Sequence, residues 1–152
     1  MGTRPAEQLG SRPHEGIDGV EREDVLTVCV EHCGNRDIVT ARGVLDLFTA
    51  PQLRAVLSSA GPCHAPHLVL DLSALRFLDS IGIGTIVAGR RLSAARGGRT
   101  VVVARNGGSP HKILHLLALH QVMEIVPDLE AAQTSLDADR ARGWYAQHGR
   151  SG

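Results

Sequence analysis

A chain of 152 residues, 43% of them hydrophobic, is long enough to bury one core and too short for two independently folded units. Sixteen Lys and Arg balance sixteen Asp and Glu, and aromatic residues make up only 3%, so composition offers no case for direct nucleic-acid binding or for an anionic membrane surface. No apolar run approaches the ~20 residues of a membrane helix, and the N-terminus lacks the apolar core of a signal peptide, so a cytoplasmic protein with reduced thiols is expected.

In chain order, residues 1–23 mix Gly, Pro, Arg, Glu and Ser without an apolar period and are expected to form a disordered tail. Val25 to Val30 is rich in branched residues and predicts a strand. Gly34-Asn35 is turn chemistry, and Asp37 to Arg42 predicts a second strand paired with the first as a hairpin. In the segment Asp46 to Pro62, Thr49 and Gln52 have the spacing of a capping box, and Pro51 suits the first turn of a helix. Leu53, Val56 and Leu57 give that helix its apolar face, and Gly61-Pro62 ends it.

The stretch Leu68 to Arg96 organises the rest. Leu68, Val69, Leu70 and Leu72, interrupted only by Asp71, predict a strand covered on both faces. After a short loop, a helix is expected to start at Ser80, whose hydroxyl suits an N-cap, with Gly82 and Gly84 leaving its first turn bare. Arg90, Arg91, Arg96 and Arg99 mark its solvated end. Thr100 to Ala104 predicts a buried strand, Ser109-Pro110 a short helix with Ile113, Leu114 and Leu117 inward, and Val122 to Val126 a last strand. A final helix is expected from Pro127-Asp128 to about Leu136, and residues 138–152 are read as a flexible tail in which Trp144 and Tyr145 could dock. Residues 24–137 are thus one α/β domain with a mixed sheet of about five strands and helices mostly on one face.

Leu70 to Gly84, LDLSALRFLDSIGIG, resembles the signature of STAS domains, the fold of bacterial anti-sigma factor antagonists. There a strand ending hydrophobic-Asp-Leu leads to a Phe-x-Asp-Ser-x-Gly-hydrophobic-Gly helix start. Gly43 to Leu53 is similar to the family's Gly-x-Leu-Asp-x-x-Thr-Ala-x-x-Leu, and Ile113 to Ile125 resembles its last helix and strand, so the likeness spans roughly residues 25–133. The resemblance implies a protein that is not an enzyme, needs no cofactor, and binds an anti-sigma factor of the serine kinase (ATPase) fold, thereby releasing a sigma factor. It implies a partner surface at Asp46, Thr49, Asp79, Ser80, Ile81, Gly82, Ile83 and Gly84, within an interface spanning 46–49, 73–84 and the exposed side of the helix as far as Arg91.

In phosphorylated members the acceptor stands just before the first glycine of this motif. That position is Ile81 here, which leaves Ser80 as the phosphorylation candidate beside its simpler role as a cap. One alternative is a STAS module acting as a sensor or scaffold without that chemistry, with a bound small ligand as one version, and a second is a small α/β enzyme. The family pattern also departs at Ala118, where relatives often have a helix-ending glycine; a longer helix or a strained turn is expected.

The remaining chemistry is sparse. Cys29, His32, Cys33 and Cys63, His64, His67 fit no strong zinc spacing, so no metal site is expected. His111 and His115, four apart, read as solvated surface. The chain has no phosphate-binding Gly-rich loop ending in Gly-Lys-Ser/Thr, no Gly-x-Ser-x-Gly elbow and no His-Glu-x-x-His. The oligomeric state is left open by the sequence.

Overall fold

The computed structural model describes residues 3–5 and 25–141. The elements run β1 (Thr3–Pro5), β2 (Leu26–Cys33), β3 (Arg36–Leu45), α1 (Ala50–Leu57), β4 (His67–Leu78), α2 (Ser80–Ala95), β5 (Thr100–Val103), α3 (Ser109–Leu116), a 3-10 turn (Leu119–Gln121), β6 (Glu124–Val126) and α4 (Leu129–Ala141). All six strands form one sheet in the order of the chain. β2 is antiparallel to β1 and β3, whereas β3, β4, β5 and β6 are parallel neighbours. The mixed α/β sheet expected from the alternation of elements is present.

Alternation along the strands sorts the core into two layers. Leu68, Leu70 and Leu72 of β4 and Val102 of β5 join Leu53, Val56, Leu57, Ile86 and Leu114, so α1, α2 and α3 cover one face. Val69, Val101 and Val103 point the other way and meet Ala132 and Leu136 of α4. Burying each of the Leu, Ile and Val side chains among these contributes about 2 kcal/mol.

The structure corrects several local expectations. Thr3–Pro5, inside the expected N-terminal tail, pairs with Cys29 to Glu31. The outer edge of β2 offers unpaired amides and carbonyls, and an edge strand tolerates the proline. The loop expected between Leu72 and Ser80 is instead a continuation of β4 to Leu78, because β3 runs beside it as far as Leu45 through two register shifts. At one of those shifts Gly43 adopts φ +101°, and a Cβ there would sit 2.3 Å from the Val25 carbonyl oxygen, so only glycine fits.

Leu117, expected inward, is half exposed and follows the end of α3. Arg99 is not solvated at a helix end; it is half-buried and pairs with Glu124 and Asp139. Ala118 is the single non-glycine residue with positive φ among those described, at φ 59°, ψ 26°, so the departure from glycine is met by a strained turn and not by a longer helix. α4 continues to Ala141, past the expected end near Leu136. Trp144 and Tyr145 lie outside the described residues.

Candidate functional site at the start of α2

At the C-terminal ends of β3 and β4, two loops meet the first turn of α2, and Asp79 ties them together. Its backbone N–H donates to the Leu45 carbonyl at 3.2 Å, its Oδ2 accepts from the Leu47 amide at 3.1 Å, and its Oδ1 accepts from the Gly82 amide at 2.9 Å. The N-cap of α2 is therefore Asp79 and not Ser80. Either residue type can cap, and the carboxylate has the further advantage of negative charge at the positive end of the helix. Ser80 becomes the first helical residue, with its side chain exposed.

The β3–α1 loop is braced from within. Asp46 Oδ1 accepts from the amides of Phe48 and Thr49 at 2.9 and 3.0 Å. The Thr49 hydroxyl accepts from the Asp46 amide and donates to the Val44 carbonyl at 2.7 Å. Thr49 is the N-cap of α1 by position but makes no side-chain cap bond, because its hydroxyl is already used by the loop. Gln52, the other half of the expected capping box, donates to the Leu26 carbonyl at 2.9 Å instead. Asp46 and Thr49 thus shape the loop, and their polar atoms are largely engaged inside it.

The glycines of the motif do different things. A Cβ on Gly82 would lie 2.8 Å from both the Leu45 and Leu78 side chains, so Gly82 lets α2 close onto the strand ends. A Cβ on Gly84 would meet nothing within 4 Å, so this position is open to the outside. Ile83 is buried under the helix, and Ile81 is 44% exposed. Sequence reasoning placed Leu47, Phe48 and Phe77 within the interface range without singling them out. They are 56%, 78% and 50% exposed, and with Ile81 they lie on the segments that meet at the α2 N-terminus, an apolar rim of exposed residues beside Asp79. The signal for Leu47 and Phe48 was an apolar pair directly after Asp46 in a loop too short to bury it.

A family profile described as the STAS domain matches residues 29–132. The chain belongs to the STAS domain family. An anti-sigma F factor antagonist of Paenibacillus polymyxa is 31% identical over 113 residues, covering 74% of this chain and 96% of that protein. The crystal structure of an anti-sigma factor antagonist from Mycobacterium paratuberculosis superposes with a TM-score of 0.67 at 30% identity, covering 76% of this chain and 97% of that one. The antagonist SpoIIAA in its unphosphorylated form gives a TM-score of 0.57 at 26% identity, with 76% and 96% covered.

His32, Cys33, Cys63, His64 and His67 lie elsewhere, around the opposite end of β3 and β4. Asp37, 2% exposed, accepts from the His64 and Ala65 amides at 2.8 Å each, and His32 Nδ1 donates to it at 2.6 Å. Burial, with Asp37 nearby, pushes the Cys63 thiol up to about 12, so it stays a thiol. His67 accepts from the Arg99 amide through Nδ1 at 3.0 Å; burial and then the charges of Arg36 and Arg99 lower its pKa to about 4. Among the described residues no three or more His, Cys, Asp or Glu are gathered as metal ligands. Among the same residues no helix is long and apolar enough to cross a membrane.

Proposed function

We propose that this chain is an anti-sigma factor antagonist that binds a kinase-fold anti-sigma factor through the rim around the α2 N-terminus and thereby releases a sigma factor. The observation that carries this reading is the apolar quartet Leu47, Phe48, Phe77 and Ile81, presented on a hydrogen-bonded base at the motif shared with antagonists. The relatives named as antagonists support the function class. The partner's kinase fold comes from the family resemblance.

Ser80 is the residue a kinase would reach. A phosphate there would stand next to the Asp79 carboxylate, which already holds the Gly82 amide, and would place about two negative charges among exposed apolar side chains. Repulsion and desolvation would then oppose docking. With Ile81 at the usual acceptor position, an unmodified Ser80 corresponds to an antagonist fixed in its binding-competent form.

The test is co-purification of the tagged protein from its own host, with mass spectrometry identifying partners and the state of Ser80. A kinase-fold anti-sigma factor recovered with the wild type and absent with Ile81→Glu is the expected result. Phosphate on Ser80 would mark a switch displaced by one residue along the motif, and its absence a permanently active antagonist. Recovery of no anti-sigma factor would favour the sensor or scaffold role and overturn the proposal.

A further inference from the structure

The net charge of zero hides a segregation of charge. From Ala50 to Leu70 and again from Ser80 to Met123 the chain contains no Asp or Glu, yet these stretches hold Arg54, Arg90, Arg91, Arg96, Arg99, Arg105 and Lys112. They include all of α1, α2 and α3, the three helices on one face of the sheet. On the other face α4 carries Glu130, Asp137 and Asp139. Arg99 is neutralised by Glu124 and Asp139, whereas among the described residues Arg54 and Arg91 enter no ion pair.

Between α1 and α2 lies a groove of about 330 Å³ with an apolar floor of Leu57, Ala88 and Leu92, flanked by Arg54, Thr85 and Arg91. Both arginines are exposed, and Arg54 Nη2 donates to the Thr85 hydroxyl at 3.3 Å, which aims the guanidinium across the groove. The groove continues from the rim: Ile81, open Gly84, Ala88 and Arg91 follow one another along the outer side of α2 at spacings of three and four.

We propose that this groove receives an acidic amphipathic helix of the anti-sigma factor, with one apolar side chain on Leu57, Ala88 and Leu92 and carboxylates on Arg54 and Arg91. This inference rests on the rim being the partner site. Charge complementarity selects the occupant, since an arginine pair with no carboxylate on either helix favours an acidic face and disfavours a basic one. The apolar floor selects a protein over a polyanion, which would leave it uncovered. Arginine suits bidentate pairing with carboxylates at such an interface.

The experiment uses the purified full-length chain and the anti-sigma factor identified by co-purification, with affinity measured by calorimetry between low and high salt. Wild type should weaken by about tenfold or more as salt rises through the range in which surface charges are screened. Arg54→Glu with Arg91→Glu should lose about 100-fold and flatten the salt dependence, while Arg54→Lys with Arg91→Lys should keep most of the salt dependence. Ala88→Trp, which fills the groove without touching the charges, should also abolish binding; circular dichroism confirms that each variant is folded. Binding that is lost in Ile81→Glu yet indifferent to salt, charge reversal and Ala88→Trp would overturn the groove proposal and leave the rim reading standing. Failure of any anti-sigma factor to bind the wild type would overturn both. Binding of DNA or anionic vesicles that disappears on charge reversal, with the anti-sigma factor unaffected, would assign the basic face to a polyanion and overturn the groove proposal.

Discussion

Asp37 and Asp79 sit at opposite ends of the paired strands β3 and β4, and each carboxylate accepts two backbone amides from neighbouring segments. At the Asp37 end the construction is closed: the acid is buried, His32 covers one oxygen, and Cys63 and His67 pack nearby as neutral groups. At the Asp79 end the same chemistry holds the loop and the helix, but Leu47, Phe48, Phe77 and Ile81 are left outside. Similar carboxylate-to-amide bonding therefore lies under a closed surface at one end and an open apolar one at the other. What distinguishes them is whether the apolar side chains above the carboxylate have anything to bury against.

The comparison can be broken most forcefully at the closed end. Asp37→Ala leaves two amides and His32 without their acceptor in a buried site and should cost about 4 kcal/mol in urea unfolding. Acid attacks the same end through His67. Its folded pKa of about 4 lies below the ordinary 6.5, so the unfolded chain takes up the proton first. Stability is therefore flat above pH 6.5 and falls as pH drops from 6.5 toward 4, by up to about 3 kcal/mol, and His67→Gln should remove that slope. At the open end Asp79→Ala should cost only about 2 kcal/mol, since water can replace part of what the carboxylate gave, while partner binding disappears. The smallest effect sits away from both ends: Ala118→Gly relieves the positive φ and should raise stability by about 1 kcal/mol in the same titration.

The sequence made the sheet legible where burial on one or both faces imposed a period, as in β4 and in Leu53, Val56 and Leu57 of α1. It was less informative where a residue had two equally good uses. Asp79 and Ser80 are both cap formers, and the tie is broken by the Leu47 amide, a partner more than thirty residues away. Thr49 looked like half of a capping box, but Asp46 engages its hydroxyl before the helix can use it. The extension of β4 through Ser73 to Leu78 depends on how far β3 runs beside it, which no pattern within β4 records. The position of the motif at the start of α2 was legible in its letters, whereas the exposure of Phe48 and Phe77 within the expected 46–49 and 73–84 ranges depends on packing that no local pattern records. The balanced charge concealed the basic helical face in the same way, since a sum over the chain carries no information about sides.

Because Asp79 anchors both Leu47 and Gly82, the β3–α1 loop and the first turn of α2 move as one block with the strand ends beneath them. Under the proposed function, a partner would meet a backbone held in place before docking, so little conformational entropy would be lost on association. On that reading docking would be fast and repeatable, and the lifetime of the complex would be set by release of the apolar side chains and not by ordering of the loop.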